Sequence, residues 1–163
     1  MKYSAPSWLP GGHLQTIYPA TCIVKPKVAY RRERWQTPDG DFIDIDFVDG
    51  TPGQPFVVLF HGLEGSSDSH YARALMSKVS ALGWSGAVPH FRGCSGELNH
   101  APRFYHSGDA EEVDWIVRRI HGERRAPAAK FYVCGVSLGG NALLRWLGES
   151  QHQANIVDAA CAI

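Results

Sequence analysis

One segment, Gly135-Val136-Ser137-Leu138-Gly139, constrains this chain more than any other. It lies between a short apolar run, Phe131-Tyr132-Val133-Cys134, and a helix-like run over residues 141–146. A strand that reverses into a helix within so few residues forces the central serine into an uncommon backbone conformation and lifts its hydroxyl clear of the sheet. Gly135 and Gly139 leave room for that reversal because they bring no Cβ into it. A buried strand feeding a helix in this way points to an α/β architecture.

The rest of the chain agrees. Residues 1–28, with Pro6, Pro10, Pro19 and Pro26, read as an irregular leader. Residues 28–36 and 42–48 flank Thr37-Pro38-Asp39-Gly40 and predict a hairpin at a sheet edge, the second strand carrying an exposed face through Asp44 and Asp46. Residues 56–60 are apolar throughout, the mark of a strand covered on both faces. A helix is expected over residues 68–82, with Tyr71, Leu75, Val79 and Leu82 on its core face and Gly83 stopping it. A strand at 85–90 follows, then a helix at 110–121 opened by an Asp109/Glu112 capping box, with Val113, Ile116, Val117 and Ile120 inward. Strands at 130–135 and 156–163 complete an alternation that predicts a mainly parallel sheet with helices on both faces.

A serine hydroxyl is a weak nucleophile at neutral pH and needs a base, while the oxyanion that forms on the substrate needs preorganised donors. Ser137 is the candidate nucleophile. Leu138 follows it at a helix start and can offer a backbone N–H, aided by the helix dipole. His61-Gly62-Leu63-Glu64-Gly65 directly follows the 56–60 strand, and Leu63 is the candidate second donor. Each donor is worth roughly 3–4 kcal/mol in the transition state. The plainer alternative is a glycine-lined turn whose serine caps the helix; the second glycine loop, in the right order, argues against it.

Among the histidines, His61 is expected to brace its loop and His106 to make a local contact, whereas His90 ends a strand beside the candidate site. Arg92 is expected to hold loop carboxylates together, although an anionic substrate group is an alternative. His152 lies about 20 Å from the serine along a helix, and Asp158 starts the last strand at the opposite end of the sheet, so neither fits the base or the acid.

These residues resemble the YheT-type branch of the α/β-hydrolases. The resemblance rests on residues 8–16 (Trp-Leu-Pro-Gly-Gly-His-Leu-Gln-Thr), 61–66, 90–97, 105–108 and 135–141, five motifs in order along essentially the whole chain, corresponding to the first half of a member. It implies a three-layer α/β-hydrolase sheet, mostly parallel with an antiparallel amino-terminal hairpin, truncated after the nucleophile helix and the following strand; residues 29–163 would then be the amino-terminal portion of one such domain. It implies a serine carboxylesterase acting on short- or medium-chain acyl esters, lipid-like in some members, with Ser137 as nucleophile, Leu63 and Leu138 in the oxyanion hole, an aspartate and a histidine from later strands, and no cofactor or metal. Acyl transfer to alcohols and a truncated, inactive binding module are the alternatives.

Sixteen basic and sixteen acidic residues balance, so net charge favours neither nucleic acid nor an anionic membrane as partner. There is no apolar run near the 18 residues of a membrane span and no signal-peptide pattern, so a cytoplasmic location is expected. Cys22, Cys94, Cys134 and Cys161 are widely spaced and are expected to be reduced, buried thiols. An apolar strand as the last segment leaves an edge without a neighbour, and the sequence is accordingly read as an amino-terminal fragment, nearly inactive by itself without a base.

Overall fold

The computed structural model describes residues 4–163. Six strands form one sheet: β1 (Arg31–Gln36), β2 (Phe42–Val48), β3 (Phe56–Phe60), β4 (Ser85–Pro89), β5 (Phe131–Gly135) and β6 (Ala159–Ala162), in the spatial order β1-β2-β4-β3-β5-β6. The hairpin strands are antiparallel to each other, β2 runs antiparallel to β4, and the remaining pairs are parallel. Around the sheet lie α1 (Gly12–Thr21), α2 (His70–Ala81), α3 (Ala110–Glu123) and α4 (Leu138–Ser150), the last running into a 3-10 turn at Gln151–Ile156.

The alternation of β3 explains its unbroken apolar sequence. Phe56, Val58 and Phe60 face α3 and α4, in one cluster with Val113, Ile116, Ile120, Leu143 and Trp146. Val57 and Leu59 face the other way, onto Ala72, Met76 and Val79 of α2. Period-two side chains thus meet helices on both sides, as a parallel strand requires.

Several expectations are corrected. Residues 12–21 are not irregular but form α1, which runs through Pro19; beyond it Lys25 pairs with Asp68 at 2.8 Å, and Tyr30 Oη donates to the Ser67 carbonyl at 3.2 Å. Strand β2 has no exposed face: all seven residues are buried. Because β1, not β2, is the edge, Arg32 and Arg34 lie in register with Asp46 and Asp44 and cover these carboxylates with bidentate hydrogen bonds of 2.7–2.9 Å. Charge-assisted bonding of this kind lets an acidic residue occupy an interior strand.

In α2 the inward residues are Ala72, Met76 and Val79, and Leu82 is exposed; Gly83, at φ 68°, does end the helix in the left-handed region. Asp109 makes no capping bond: one oxygen of its carboxylate meets Arg103 at 2.7 Å and one of Glu112 meets Arg92 at 2.6 Å, while Asp109 Oδ2 and Glu112 Oε1 are buried without a protein partner among the described residues. Ion pairs stand where the local box was expected. The last strand, β6, lies at the sheet edge and is exposed along its length. None of the four cysteines is fully buried; all are free thiols.

Candidate active site

Ser137 sits between the end of β5 and the first residue of α4 with φ 53° and ψ −115°. This is a region that side chains rarely occupy, costing about 1–3 kcal/mol, and it is held because neighbouring backbone leaves no alternative. A Cβ at Gly135 would lie 2.5 Å from the Gly139 carbonyl oxygen, and one at Gly139 would lie 2.5 Å from the carbonyl oxygens of both Phe60 and His61. Helix α4 therefore enters against the ends of β3 and β5 at a distance that only glycine permits. Ser137 N–H donates to the Ile163 carbonyl at 2.7 Å, and Val136 N–H donates to that of Phe60 at 3.0 Å.

The loop after β3 comes to the same place. A Cβ at Gly62 would stand 3.4 Å from Ser137 Cβ, so the two glycine-marked segments of the sequence are in contact across the sheet end. Within this loop Gly62 N–H donates to Tyr71 Oη at 2.8 Å, Glu64 N–H to Tyr105 Oη at 2.8 Å, and Gly65 N–H to the Gly62 carbonyl at 2.9 Å. Leu63 lies between them, its side chain in solvent; among the described residues its N–H has no protein acceptor, and neither has that of Leu138. Glu64 is another non-glycine residue at positive φ, 51°.

His61 is fully buried. Its Nδ1 donates to the Gly62 carbonyl at 2.7 Å, and its Nε2 accepts from Phe91 N–H at 3.0 Å, which fixes a neutral ring as a bridge between the loops after β3 and β4. Burial pushes it down to about 4, the neighbouring His90 adds to that, and the Gly62 contact opposes it. His90 is likewise pinned, Nε2 2.9 Å from Asp46 Oδ2 and Nδ1 3.2 Å from the Cys94 carbonyl oxygen. Burial raises the Asp46 carboxyl, but bonds from Arg32, His90 and Ser67 outweigh this and hold it well below the usual carboxylate range.

Arg92 is buried and meets carboxylates on three sides: Glu112 at 2.6 Å, Asp39 at 3.0 Å and Asp41 at 3.1 Å. It ties the hairpin turn to α3. His106 is exposed and accepts from Gly108 N–H. His152 is exposed on the 3-10 turn beyond the far end of α4. Asp158 is bound to Lys130 Nζ at 2.7 Å and Phe131 N–H at 2.8 Å, where β5 begins, away from Ser137.

Two supporting residues were not legible as such. Tyr71 reads as a core position of α2, yet its hydroxyl accepts from the loop beside Ser137. Tyr105 stacks on Phe91, with ring centroids 5.2 Å apart and planes 8° apart, and braces the same loop. Asn141 Nδ2 joins α4 to the Ser107 carbonyl at 2.8 Å. The Tyr-His-Ser-Gly segment was a sequence signal for this bracing, but it did not say which partner each residue takes. Among the described residues no group of three or more His, Cys, Asp or Glu side chains is arranged to hold a metal ion, and no helix is long and apolar enough to cross a membrane.

A strand, a sharp turn at a strained serine, a helix packed on glycines and a second glycine loop over the serine together define the hydrolase architecture. The chain belongs to the alpha/beta hydrolase fold family, whose model matches residues 55–159. It is 42% identical to YheT of Escherichia coli over 156 residues, covering 93% of this chain and 44% of that protein. It is 30% identical to phospholipase ABHD3 of Homo sapiens over 161 residues, covering 94% and 39%. The chain thus spans less than half the length of these relatives. Brefeldin A esterase, described as a bacterial homologue of human hormone sensitive lipase, shares the fold at TM-score 0.64 and 18% identity, over 91% of this chain and 44% of that one.

Proposed function

We propose that this sequence supplies the nucleophile half of a serine esterase site, with Ser137 attacking the carbonyl carbon of a short- or medium-chain acyl ester. The N–H groups of Leu138 and Leu63 receive the oxyanion. The tetrahedral intermediate then expels the alcohol, and water releases the acid from the acyl-serine. The observation that carries this reading is the strained backbone at Ser137 with Gly62 in contact above it. Strain of this kind is retained where a side chain must be presented. The names of the relatives, a phospholipase among them, support an acyl ester as the substrate class.

No residue of this sequence is assigned as base or acid. His61 and His90 have both ring nitrogens engaged elsewhere, and His152 and Asp158 lie at the other end of the sheet. Removing the base of such a relay costs up to about a million-fold in turnover, so this sequence alone is expected to turn over esters very slowly.

The test joins residues 1–163 to the part of Escherichia coli YheT that this chain does not span. A fluorophosphonate probe should phosphonylate Ser137, located by peptide mapping, and Ser137→Ala should abolish the adduct. Equal labelling of the Ser137→Ala chimera refutes the assignment. So does an unlabelled chimera with native circular dichroism and a cooperative melt. Product analysis with ester and added alcohol separates hydrolysis from transfer.

A further inference from the structure

We infer that the cavity between the β1–β2 turn, the loop after β4 and the start of α3 is a binding site for a protonated aliphatic diamine. It measures about 330 Å³, and its walls include Asp39, Arg92, Arg103, Glu111, Glu112 and Trp115. The turn belongs to β1 and β2, on the opposite side of the sheet from β6. Neither Ser137 nor the loop over it forms part of the wall, so the site stands or falls apart from the proposed ester chemistry.

Charge around the cavity is unbalanced. Arg92 is shared among Glu112 at 2.6 Å, Asp39 at 3.0 Å and Asp41 at 3.1 Å, and Arg103 is held by Asp109 at 2.7 Å. Five carboxylates, those of Asp39, Asp41, Asp109, Glu111 and Glu112, thus stand around two guanidinium groups, and nearby Arg145 is bonded to Glu149 at 2.7 Å. Glu112 gives a second and independent sign. Its side chain is 3% exposed; Oε2 bonds Arg92, whereas Oε1 is buried with no hydrogen-bond partner among the described residues. Burial raises its carboxyl, Arg92 opposes this, and the Asp109 charge adds to it. A buried carboxylate oxygen without a donor is costly, and a cation that brings N–H groups into the cavity relieves it.

The wall selects the kind of cation. Among the described residues no three carboxylates converge as ligands of a metal ion. An ammonium group instead carries three donors on one atom, and Trp115 offers aromatic and apolar surface to the methylene chain behind it. Asp39 and Glu111 are the exposed acidic members of the wall and suit a second ammonium, which favours a diamine over a monoamine.

Isothermal titration of the folded chain, or of the YheT chimera, with putrescine at fixed ionic strength should show one site with a dissociation constant of about 1 mM or lower. The uncharged diol of the same chain length should not bind. Glu112→Gln should weaken putrescine binding about tenfold or more, and Glu111→Gln about threefold. Nuclear Overhauser effects should join the putrescine methylene protons to the Trp115 indole. Where Glu112→Gln does not fold, the surface variant Glu111→Gln and the Trp115 contacts carry the test. No binding at about 10 mM putrescine, equal binding of the diol, an affinity unchanged in folded Glu112→Gln, or methylene contacts that miss Trp115 overturns the inference.

Discussion

His61 should make stability depend on pH through the loop that lies over Ser137. Its neutral form donates once and accepts once, to the Gly62 carbonyl and from Phe91 N–H. A protonated ring would have two donors and would set Nε2–H against Phe91 N–H, in a pocket without water access and 6.0 Å, centroid to centroid, from the His90 ring. Burial accordingly holds His61 down to about 4, against an ordinary value of 6.5. The folded state resists the proton and the unfolded chain accepts it, so stability is complete above pH 6.5 and is lost as pH falls from there toward 4. The two values give a loss of about 1 kcal/mol between pH 7.5 and 5.5, and about 3 kcal/mol once pH is below both.

The assay is urea unfolding of the wild type and of His61→Gln at pH 7.5, 6.5 and 5.5. Other groups, including Glu112, whose carboxyl is raised by burial despite Arg92, titrate in both proteins and cancel in the comparison. His61→Gln should be less stable at pH 7.5, and the gap should shrink by about 1 kcal/mol by pH 5.5. A gap that stays constant over that range refutes the account of His61 as a buried neutral bridge.

Further outcomes follow from the same contacts. Ser137→Gly relieves the strain at φ 53° and, after the larger chain entropy of glycine, should stabilise the fold by about 1 kcal/mol in thermal or urea melts while removing the hydroxyl. Gly139→Ala drives a methyl into the Phe60 and His61 carbonyl oxygens and should cost about 3 kcal/mol or more in the same measurements. Gly62→Ala meets only ordinary contacts; it should leave stability within about 1 kcal/mol, yet lower fluorophosphonate labelling of the YheT chimera roughly tenfold by crowding Ser137. Arg92→Ala strands the buried carboxylate of Glu112, while Asp41 keeps its bonds from Asn99 and the His100 and Ala101 N–H groups, and should lower unfolding free energy by about 3 kcal/mol.

The parts of this fold that were legible in the sequence are those whose cause is local. A five-residue apolar run bounded by turn residues reads as a strand with both faces covered, and β3 is covered on both. The stripe Val113, Ile116, Val117 and Ile120 follows helical spacing, and all four side chains are buried. What was not legible depends on partners far away in the chain. Asp44 and Asp46 look solvent-facing because acids usually are; Arg34 and Arg32 reverse that from the neighbouring strand. The apparent capping box at Asp109 and Glu112 is replaced by ion pairs in which Arg103 and Arg92 each hold one oxygen of these carboxylates. Ion pairs across the fold override propensities worth about 1 kcal/mol, and no spacing rule announces them.

The site divides along the same line. Glycine at 135 and 139 is a backbone requirement, visible in the sequence because no other residue satisfies it: a Cβ at either would stand 2.5 Å from a carbonyl oxygen. His61, expected from its place in the sequence to brace the loop, bonds the Gly62 carbonyl, whereas Tyr71 and Tyr105 bond the Gly62 and Glu64 N–H groups with no counterpart in periodicity. Those three bonds engage the Gly62 N–H and carbonyl and the Glu64 N–H on either side of Leu63, whose own N–H meets no acceptor among the described residues. The oxyanion role proposed for Leu63 therefore depends on the side chains that brace its loop as much as on Ser137.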